Sequence, residues 1–449
     1  MTDAIAHRPI CFMVQFWGRR YRDYFVDLCL PSLLAPGNLP LLRAADGHLF
    51  LIATPREDWD SLEHLPIMDR LRQHASPKLV ETPPPPDNEY ATILDHQTRS
   101  LKRLFETAYT HQAFGSAVWP DTILSDGMVA ALLRFIDAGH RLVMQPTIRL
   151  AEEGVISDLT AMGLMPPDAR LSMTAEALNV PPRVVADLSV RHLHPEVQIF
   201  EEGHPCQPLH PPYRFWRVPG RQGIILHVFF ATPVLIDFTA VPADHAACLD
   251  DADWESVYIG RNFSHCGGLH VVQDSDECGI LSVTPTATDR SVPYPTRRFG
   301  GRWMPTSALL CNLRRSLATY TRRHRDAVRR DLFRVSVRWH AEDIDEVWRQ
   351  EESRISGLIE RAAGDYYANR SRFPARISLD PRYLPLDLMV VPQYLIKILG
   401  YAGAVLRACA GDRRESARIW RRMRSLLGPS FAKRRADQEA VRADTSPAP

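Results

Sequence analysis

Residues 114–145 read FGSAVWPDTILSDGMVAALLRFIDAGHRLVMQ, and this stretch decides the fold. Phe114–Trp119 is a short apolar run that predicts a buried strand. Apolar side chains then recur at helical spacing through Val129–Ile136, and Gly139 stands where helices commonly end. Leu142–Met144 predicts the next strand. A strand, a helix and a strand with short connections form a βαβ unit, which should cross over in the right-handed sense.

The same alternation runs through the earlier part of the chain. Ile10–Val14 and Leu49–Ala53 are continuous apolar runs, typical of strands covered on both faces. Helical spacing follows the first run until Pro31, and it returns in Ile93–Tyr109. The pattern predicts an α/β fold: a Rossmann-like mixed sheet flanked by helices.

Four segments are expected along the chain. Residues 1–165 form the α/β domain. Residues 166–300 form a mixed segment that completes the site and its acceptor side, with shorter apolar runs. Residues 301–430 form a helical C-terminal region, and residues 431–449 are a polar tail without fixed structure.

Composition excludes several classes of protein. The 54 basic and 53 acidic residues nearly cancel, so no excess charge attracts the chain to nucleic acid. Eight cysteines without a CxxC pair are too few for a disulfide scaffold. Met1–Trp17 lacks the pattern of a secretory signal, and charged residues interrupt the apolar stretch Leu386–Ala410, which predicts a buried helix. We therefore expect a cytoplasmic protein with reduced thiols.

Two carboxylates occupy positions where α/β proteins bind ligands. Asp121 follows the strand that precedes the helix, and ligands bind beyond the carboxyl ends of parallel strands. Asp126 stands just before the helix. Each could hold a divalent metal or accept hydroxyl groups from a sugar. The alternatives are a turn residue at Asp121 and a helix-capping residue at Asp126.

The arrangement around Asp121 resembles GT-A-fold nucleotide-sugar glycosyltransferases. The resemblance covers Ile10–Arg149 and includes the strand that ends in an acidic residue, the helix, and the Gly-His-Arg segment before the next strand. In that family an acidic Asp-x-Asp motif binds the donor diphosphate through Mn²⁺ or Mg²⁺. Here Thr122 and Ile123 follow the aspartate, so the motif is incomplete at this position.

The resemblance implies roles for other residues in donor binding. Gln15 and Trp17, just past the first strand, would contact the nucleotide base. Arg149 and His194 are the expected partners of the diphosphate, and Asp121 of the donor or its metal. The implied partners are a nucleotide diphosphate sugar and a hydroxyl acceptor of glycan, lipid or protein nature.

Downstream acidic clusters are the other candidates for catalysis. Asp274 and Asp276 follow a strand-like run and could bind a metal or supply a general base. Asp251 and Asp253 form a second Asp-x-Asp, with weaker strand context. The alternative for both clusters is an exposed acidic turn.

The middle region is rich in histidine. His204, Cys206 and His210 have zinc-ligand chemistry but no known zinc spacing, so a zinc-dependent hydrolase is a minor alternative. His227 lies inside an apolar run and is expected to be a core histidine.

Arginine is concentrated in two late segments, Arg314–Arg338 and Arg413–Arg435. Such helices could lie on an anionic membrane surface, which would place the protein at the inner membrane, or they could bind another protein. A solvated face paired with acidic residues is the simpler interpretation. The sequence thus favours a glycosyltransferase, with a non-catalytic interaction protein that acts through these helices as the alternative.

Overall fold

The computed structural model describes residues 8–87, 90–168, 170–204, 207, 211–249, 254–263, 269–287, 327–368 and single positions between 309 and 320. The chain divides into two units, Met1–Phe373 and Pro374–Pro449. Only the first contains described residues. The second arginine-rich segment and the predicted tail lie outside them, and the predicted division into four segments stays a prediction.

The described part of the chain forms the following strands, given in chain order. They are β1 (Ile10–Gln15), β2 (Leu49–Thr54), β3 (Ser76–Glu81), β4 (Phe114–Ala117), β5 (Thr122–Leu124), β6 (Leu142–Gln145), β7 (Ile148–Ala151), β8 (Tyr213–Arg217), β9 (Gly223–Val228), β10 (Thr232–Asp237), β11 (Leu269–Val271), β12 (Ile280–Thr284) and β13 (Val337–His340).

The α-helices follow the same numbering. They are α1 (Gly18–Tyr24), α2 (Leu30–Leu33), α3 (Arg56–Leu62), α4 (Pro66–Arg72), α5 (Tyr90–Thr110), α6 (Met128–Asp137), α7 (Glu152–Ala161), α8 (Leu171–Thr174), α9 (Pro182–Arg191), α10 (Pro195–Gln198), α11 (Trp254–Asn262), α12 (Ala327–Arg334) and α13 (Glu346–Ala368). A π-helical turn, Phe25–Cys29, joins α1 to α2. None of these helices is long and apolar enough to cross a bilayer, within the residues that the structure describes.

The main sheet has seven strands in the order β11-β6-β10-β4-β1-β2-β3. β10 runs antiparallel to both of its neighbours, and the other pairs are parallel. Two three-stranded sheets accompany it, in the orders β5-β12-β7 and β13-β9-β8. The fold is therefore mixed α/β, with a mixed main sheet flanked by helices, and is compatible with a Rossmann-like architecture.

Both faces of the main sheet are buried. Along β1, Cys11 and Met13 belong to one core cluster, whereas Phe12 and Val14 belong to the other. Successive side chains of a strand point to opposite faces, so a strand that is covered on both sides needs apolar residues at every position. This explains the continuous apolar run from which the strand was predicted.

The decisive stretch folds largely as its pattern predicts. The predicted strands are β4 and β6, and α6 ends before Gly139, whose φ of 80° satisfies the left-handed turn that closes a helix. One difference is that β10 lies between β4 and β6, so the two strands of the βαβ unit are not neighbours.

The sequence did not predict β10 or β13. Pro233 lies inside β10 at an irregularity in the register with β6, where a strand tolerates the missing N–H of proline. β13 interrupts the segment after Ser307 that was expected to be helical throughout. It is a short edge strand of the third sheet, paired with β9.

Candidate functional site

A cleft of about 300 Å³ opens beside the carboxyl ends of β1, β4 and β6. This is the edge of a parallel sheet at which α/β proteins bind their ligands. Residues from β7, β10, β12 and α5 complete its walls. The lining residues are Gln15, Phe16, Trp17, Tyr21, Gln97, Trp119, Pro120, Asp121, Thr147, Arg149, Thr232 and Ser282.

Aromatic rings form part of the cleft wall. Trp17 packs edge-on against His96, with ring centroids 4.7 Å apart, and lies 6.5 Å from the ring of Tyr21. The next residue, Gly18, has a φ of 76° and donates its backbone N–H to the Asp58 carboxylate at 2.7 Å. The left-handed turn therefore fixes the direction of Trp17 as the chain leaves β1.

Gln15, the last residue of β1, lines the cleft with an incompletely satisfied amide. Its side chain is 5% exposed, and its Oε1 has no hydrogen-bond partner in the described part of the chain. An acceptor that stays unpaired after burial costs free energy, so such atoms are rare in folded proteins. Because the Oε1 atom is itself buried, a ligand donor reaches it only when the side chain turns toward the cleft that Gln15 lines.

Asp121 lies in the cleft, as predicted from its strand-end position. Its Oδ2 accepts a hydrogen bond from the Ser282 hydroxyl at 3.0 Å, and its backbone carbonyl accepts from the Val283 N–H at 2.8 Å. Both contacts come from β12, so this strand orients the carboxylate. Asp121 is the one carboxylate among the lining residues that the structure describes.

Arg149 supplies the positive charge of the cleft. It lies on β7, next to Ser282 on β12, and its side chain is 39% exposed. Its Nη1 lies 3.2 Å from Oε2 of Glu196, the second residue of α10. The guanidinium has further donors, so it can bind an anion while it keeps this pair.

His194 is not part of the cleft wall, contrary to the prediction that it contacts the diphosphate. It is 1% exposed. Its Nδ1 accepts the backbone N–H of Glu196 at 3.2 Å, which caps α10, and its Nε2 lies 3.3 Å from the Pro285 carbonyl. Both ring nitrogens thus bind the protein itself.

Asp126 also has a structural contact instead of a cleft position. Its Oδ1 accepts the backbone N–H of Gly37 at 2.6 Å, which ties the loop after α2 to the start of α6. The helix cap is Gly127, not Asp126. The prediction of a ligand-binding carboxylate is therefore not supported at this position, because the carboxylate joins two segments of the fold.

Asp274 and Asp276 lie in a different group of side chains. Together with His340 they place one ligand atom each within 4.8 Å of one another, a spacing that could hold a metal ion. Asp121 is not in that group. The three carboxylates that were predicted as metal ligands therefore lie in two places among the described residues.

Protein partners already occupy the Asp274 cluster. Asp274 accepts from His340 Nε2 at 2.8 Å and lies 3.2 Å from Arg338 Nη2. Asp276 lies 3.3 Å from the Arg183 guanidinium. A cation would have to compete with two guanidinium groups for these carboxylates. The arrangement fits an ion-pair network better than a metal centre.

Hydrogen bonds determine the protonation of this cluster. His340 Nδ1 lies 2.7 Å from the Glu342 carbonyl while Nε2 faces Asp274, so both ring nitrogens face acceptors and the imidazolium satisfies both. Burial opposes this charge, yet the two hydrogen bonds raise the pKa of His340. Burial also opposes ionisation of Asp274, but hydrogen bonds from His340 and the Asp276 backbone lower its pKa.

The described residues do not test the zinc hypothesis of the histidine-rich middle region. Cys206 and His210 lie outside the described residues, as do Asp251 and Asp253, so those hypotheses stay predictions. His227 is buried, and its Nδ1 lies 2.9 Å from the Phe333 carbonyl. Burial lowers its pKa to about 4, which keeps the ring neutral, in line with the expected core histidine.

Several cleft residues carried no recognisable signal in the sequence. Thr147 faces the cleft from the connection between β6 and β7, Thr232 from the start of β10, and Ser282 from β12. Their positions depend on strand neighbours that are distant along the chain. Thr232 could have been found only if Thr232–Asp237 had been identified as a strand.

Comparison with protein-family models and with curated proteins finds no match to this chain. Inferences about function therefore depend on the geometry and chemistry of the cleft.

Proposed function

We propose that the protein is a glycosyltransferase that moves a sugar from a nucleotide diphosphate sugar to a hydroxyl acceptor. The observation that carries the proposal is the convergence of Gln15, Asp121 and Arg149 on one cleft at the carboxyl ends of parallel strands. These residues are distant in sequence, and the resemblance to GT-A-fold glycosyltransferases implies a role in donor binding for each of them.

Each group matches a different part of such a donor. The unpaired amide of Gln15 and the ring of Trp17 suit a nucleotide base, which offers hydrogen-bonding edges and flat faces. Asp121 can accept hydroxyl groups of ribose or of the sugar. Arg149 can bind the diphosphate and stabilise the negative charge that develops on it as the glycosidic bond breaks.

A divalent cation, as the GT-A resemblance implies, would take Asp121 as its carboxylate ligand. Magnesium commonly binds through one or two carboxylates, with phosphate oxygens and waters as its other ligands. The cation would supply charge stabilisation for the leaving diphosphate. The Asp274 cluster is excluded from this role in our proposal, because its carboxylates pair with Arg338 and Arg183.

The arginine-rich segment offers less support to the alternative of an interaction protein. Within its described part, Arg334 pairs with Glu360 at 2.6 Å and Arg329 lies 4.4 Å above the ring of Phe230. Arg338 pairs with Asp274. These three guanidinium groups are engaged within the described part of the fold, as a solvated face paired with acidic residues would have them.

Asp121→Asn tests the donor site, and Asp126→Asn is the matched control. We expect the first variant to bind UDP or GDP at least about tenfold more weakly at wild-type stability, which corresponds to about 1.4 kcal/mol. The second should keep wild-type affinity and lose about 0.5–2 kcal/mol of stability, because it weakens a loop contact like those of helix caps.

Titration calorimetry measures the nucleotide affinity of each variant, and thermal unfolding measures its stability. Any gain in affinity that Mn²⁺ produces should vanish in Asp121→Asn and persist in Asp274→Asn. If no nucleoside diphosphate binds the wild type with or without Mn²⁺, the proposal is wrong. Release of the nucleoside diphosphate from a nucleotide sugar in the presence of acceptors then tests transfer itself.

A further inference from the structure

His194 is buried beside the cleft without touching it, and its contacts lead to Arg149. Its ring caps α10, and the second residue of that helix is Glu196, whose carboxylate pairs with Arg149. The His194 backbone N–H also donates to the Arg149 carbonyl at 3.1 Å. The backbone and the side chain of Arg149 are therefore both tied to the same short turn.

We propose that His194 is a positioning residue for Arg149: it orders the α10 turn so that Glu196 holds the guanidinium toward a nucleoside diphosphate in the cleft. The inference rests on the proposed function for the identity of the ligand. The positioning itself is a property of the protein without ligand. In this proposal His194 and Glu196 act on the diphosphate through the Arg149 guanidinium and do not touch the ligand themselves.

The hydrogen bonds define which form of the ring does this. Nδ1 accepts the Glu196 N–H, so it carries no proton, and Nε2 donates to the Pro285 carbonyl. Pro285 follows β12, the strand that orients Asp121 through Ser282. One neutral imidazole thus joins the turn that holds the arginine to the strand that holds the carboxylate.

The contact with Glu196 should increase the affinity of Arg149 for an anion. Its side chain is long and flexible, and ordering it on binding costs conformational entropy that reduces affinity. A carboxylate at 3.2 Å restricts the guanidinium before the ligand arrives and leaves other N–H donors free. Loss of the cap should therefore weaken diphosphate binding without changing contacts to the nucleoside.

The test uses the full chain with four single variants, Arg149→Ala, Glu196→Ala, His194→Leu and His194→Asn, and with the double variant Arg149→Ala/His194→Leu. UDP and uridine affinities are measured by calorimetry. In parallel, the rate at which phenylglyoxal modifies Arg149 is followed by peptide mass spectrometry. Asparagine is a good helix cap and can accept the Glu196 N–H, so His194→Asn is the conservative variant.

We expect Arg149→Ala to weaken UDP binding about 10- to 100-fold, as for loss of a charge-assisted hydrogen bond, with uridine affinity unchanged. His194→Leu should weaken UDP binding several-fold, add no further loss in the Arg149→Ala background, and be rescued by asparagine. Arg149 should react faster with phenylglyoxal in His194→Leu and in Glu196→Ala.

Wild-type reactivity of Arg149 in both variants overturns the positioning role, and so do losses of UDP affinity that add in the double variant. If His194→Leu does not fold, Glu196→Ala decides, because that side chain is 30% exposed and its replacement disturbs the fold less. If the wild type binds no UDP, the proposed function fails, and the reactivity of Arg149 still decides the positioning role.

Discussion

Gln15 and Gln145 form a natural pair for an experiment, because each is the last residue of a parallel strand and each is buried. Gln145 is satisfied at both ends: its Nε2 donates to the Cys278 carbonyl at 2.6 Å, and its Oε1 accepts from the Cys278 thiol at 2.9 Å. Gln15 Oε1 has no partner in the described part of the chain. Replacement by methionine should therefore affect the two positions in opposite directions.

The magnitudes follow from these contacts. A buried acceptor without a partner costs about 1–3 kcal/mol, and a swap that conserves volume costs less than about 1.5 kcal/mol. Gln15→Met should therefore leave the free energy of unfolding unchanged or raise it by about 1 kcal/mol. Gln145→Met removes the donor of the Cys278 carbonyl and the acceptor of the Cys278 thiol, so it should lower the free energy of unfolding by about 1–3 kcal/mol.

The affinity for UDP should instead fall in Gln15→Met and stay at the wild-type value in Gln145→Met. A ligand that donates to Gln15 loses one hydrogen bond in Gln15→Met and buries an unpaired donor, so UDP affinity should fall about tenfold. Gln145→Met should bind UDP as the wild type does, because its amide faces Cys278. Urea unfolding and titration calorimetry give both values. A destabilised Gln15→Met with wild-type UDP affinity would refute the reasoning and show that the amide serves only the fold.

Two further predictions concern stability. The contribution of His340 to the free energy of unfolding should be complete below its ordinary pKa of 6.5, and it should be lost as pH rises through its raised pKa in the folded state. The contribution of Asp274 should be complete above its ordinary pKa of 3.8, and it should be lost as pH falls through its lowered pKa in the folded state. The stability that wild type has over His340→Gln should thus be largest between about pH 4 and 6.5, and a difference independent of pH in thermal unfolding would contradict it. Gly223→Ala should lose about 1–3 kcal/mol, since its Cβ would lie 2.3 Å from the Trp348 ring and 2.7 Å from the Trp339 carbonyl. Gly357→Ala, with nothing within 4 Å and an exposed helical position, should gain up to about 1 kcal/mol in the same urea experiment.

The sequence predicted the parts of the fold that depend on local pattern. β1 and β2 are apolar at every position except their last, Gln15 and Thr54, and α6 has an apolar face and is followed by Gly139, so each could be identified from a short window. β10 could not, because its place between β4 and β6 is set by pairing over long distances, and Pro233 argues against a strand.

The candidate site shows the same division. Asp121 was proposed because strand ends have a known relation to ligand sites, and Gln15 because the GT-A resemblance implies a base contact there; both residues line the cleft. His194 and Asp126 have side chains that suit donor binding, but in the structure they accept backbone N–H groups outside the cleft. Such contacts depend on tertiary packing, which a sequence pattern does not show. The partners of Asp274, which are Arg338 and His340, come from β13, which the sequence did not reveal.

The position of β10 has a consequence for biosynthesis. β4 ends at Ala117 and β6 at Gln145, but the strand that fills the gap between them begins at Thr232. While the nascent chain emerges, β1, β2 and β3 can pair early, whereas β6 must wait for both of its neighbours, β10 and β11. Unpaired strand edges promote aggregation, and non-local pairing slows folding. A ribosome-bound intermediate that has reached only the middle of the chain therefore exposes three strand edges, one on β4 and two on β6, which are suitable targets for a chaperone until β10 and β11 are inserted.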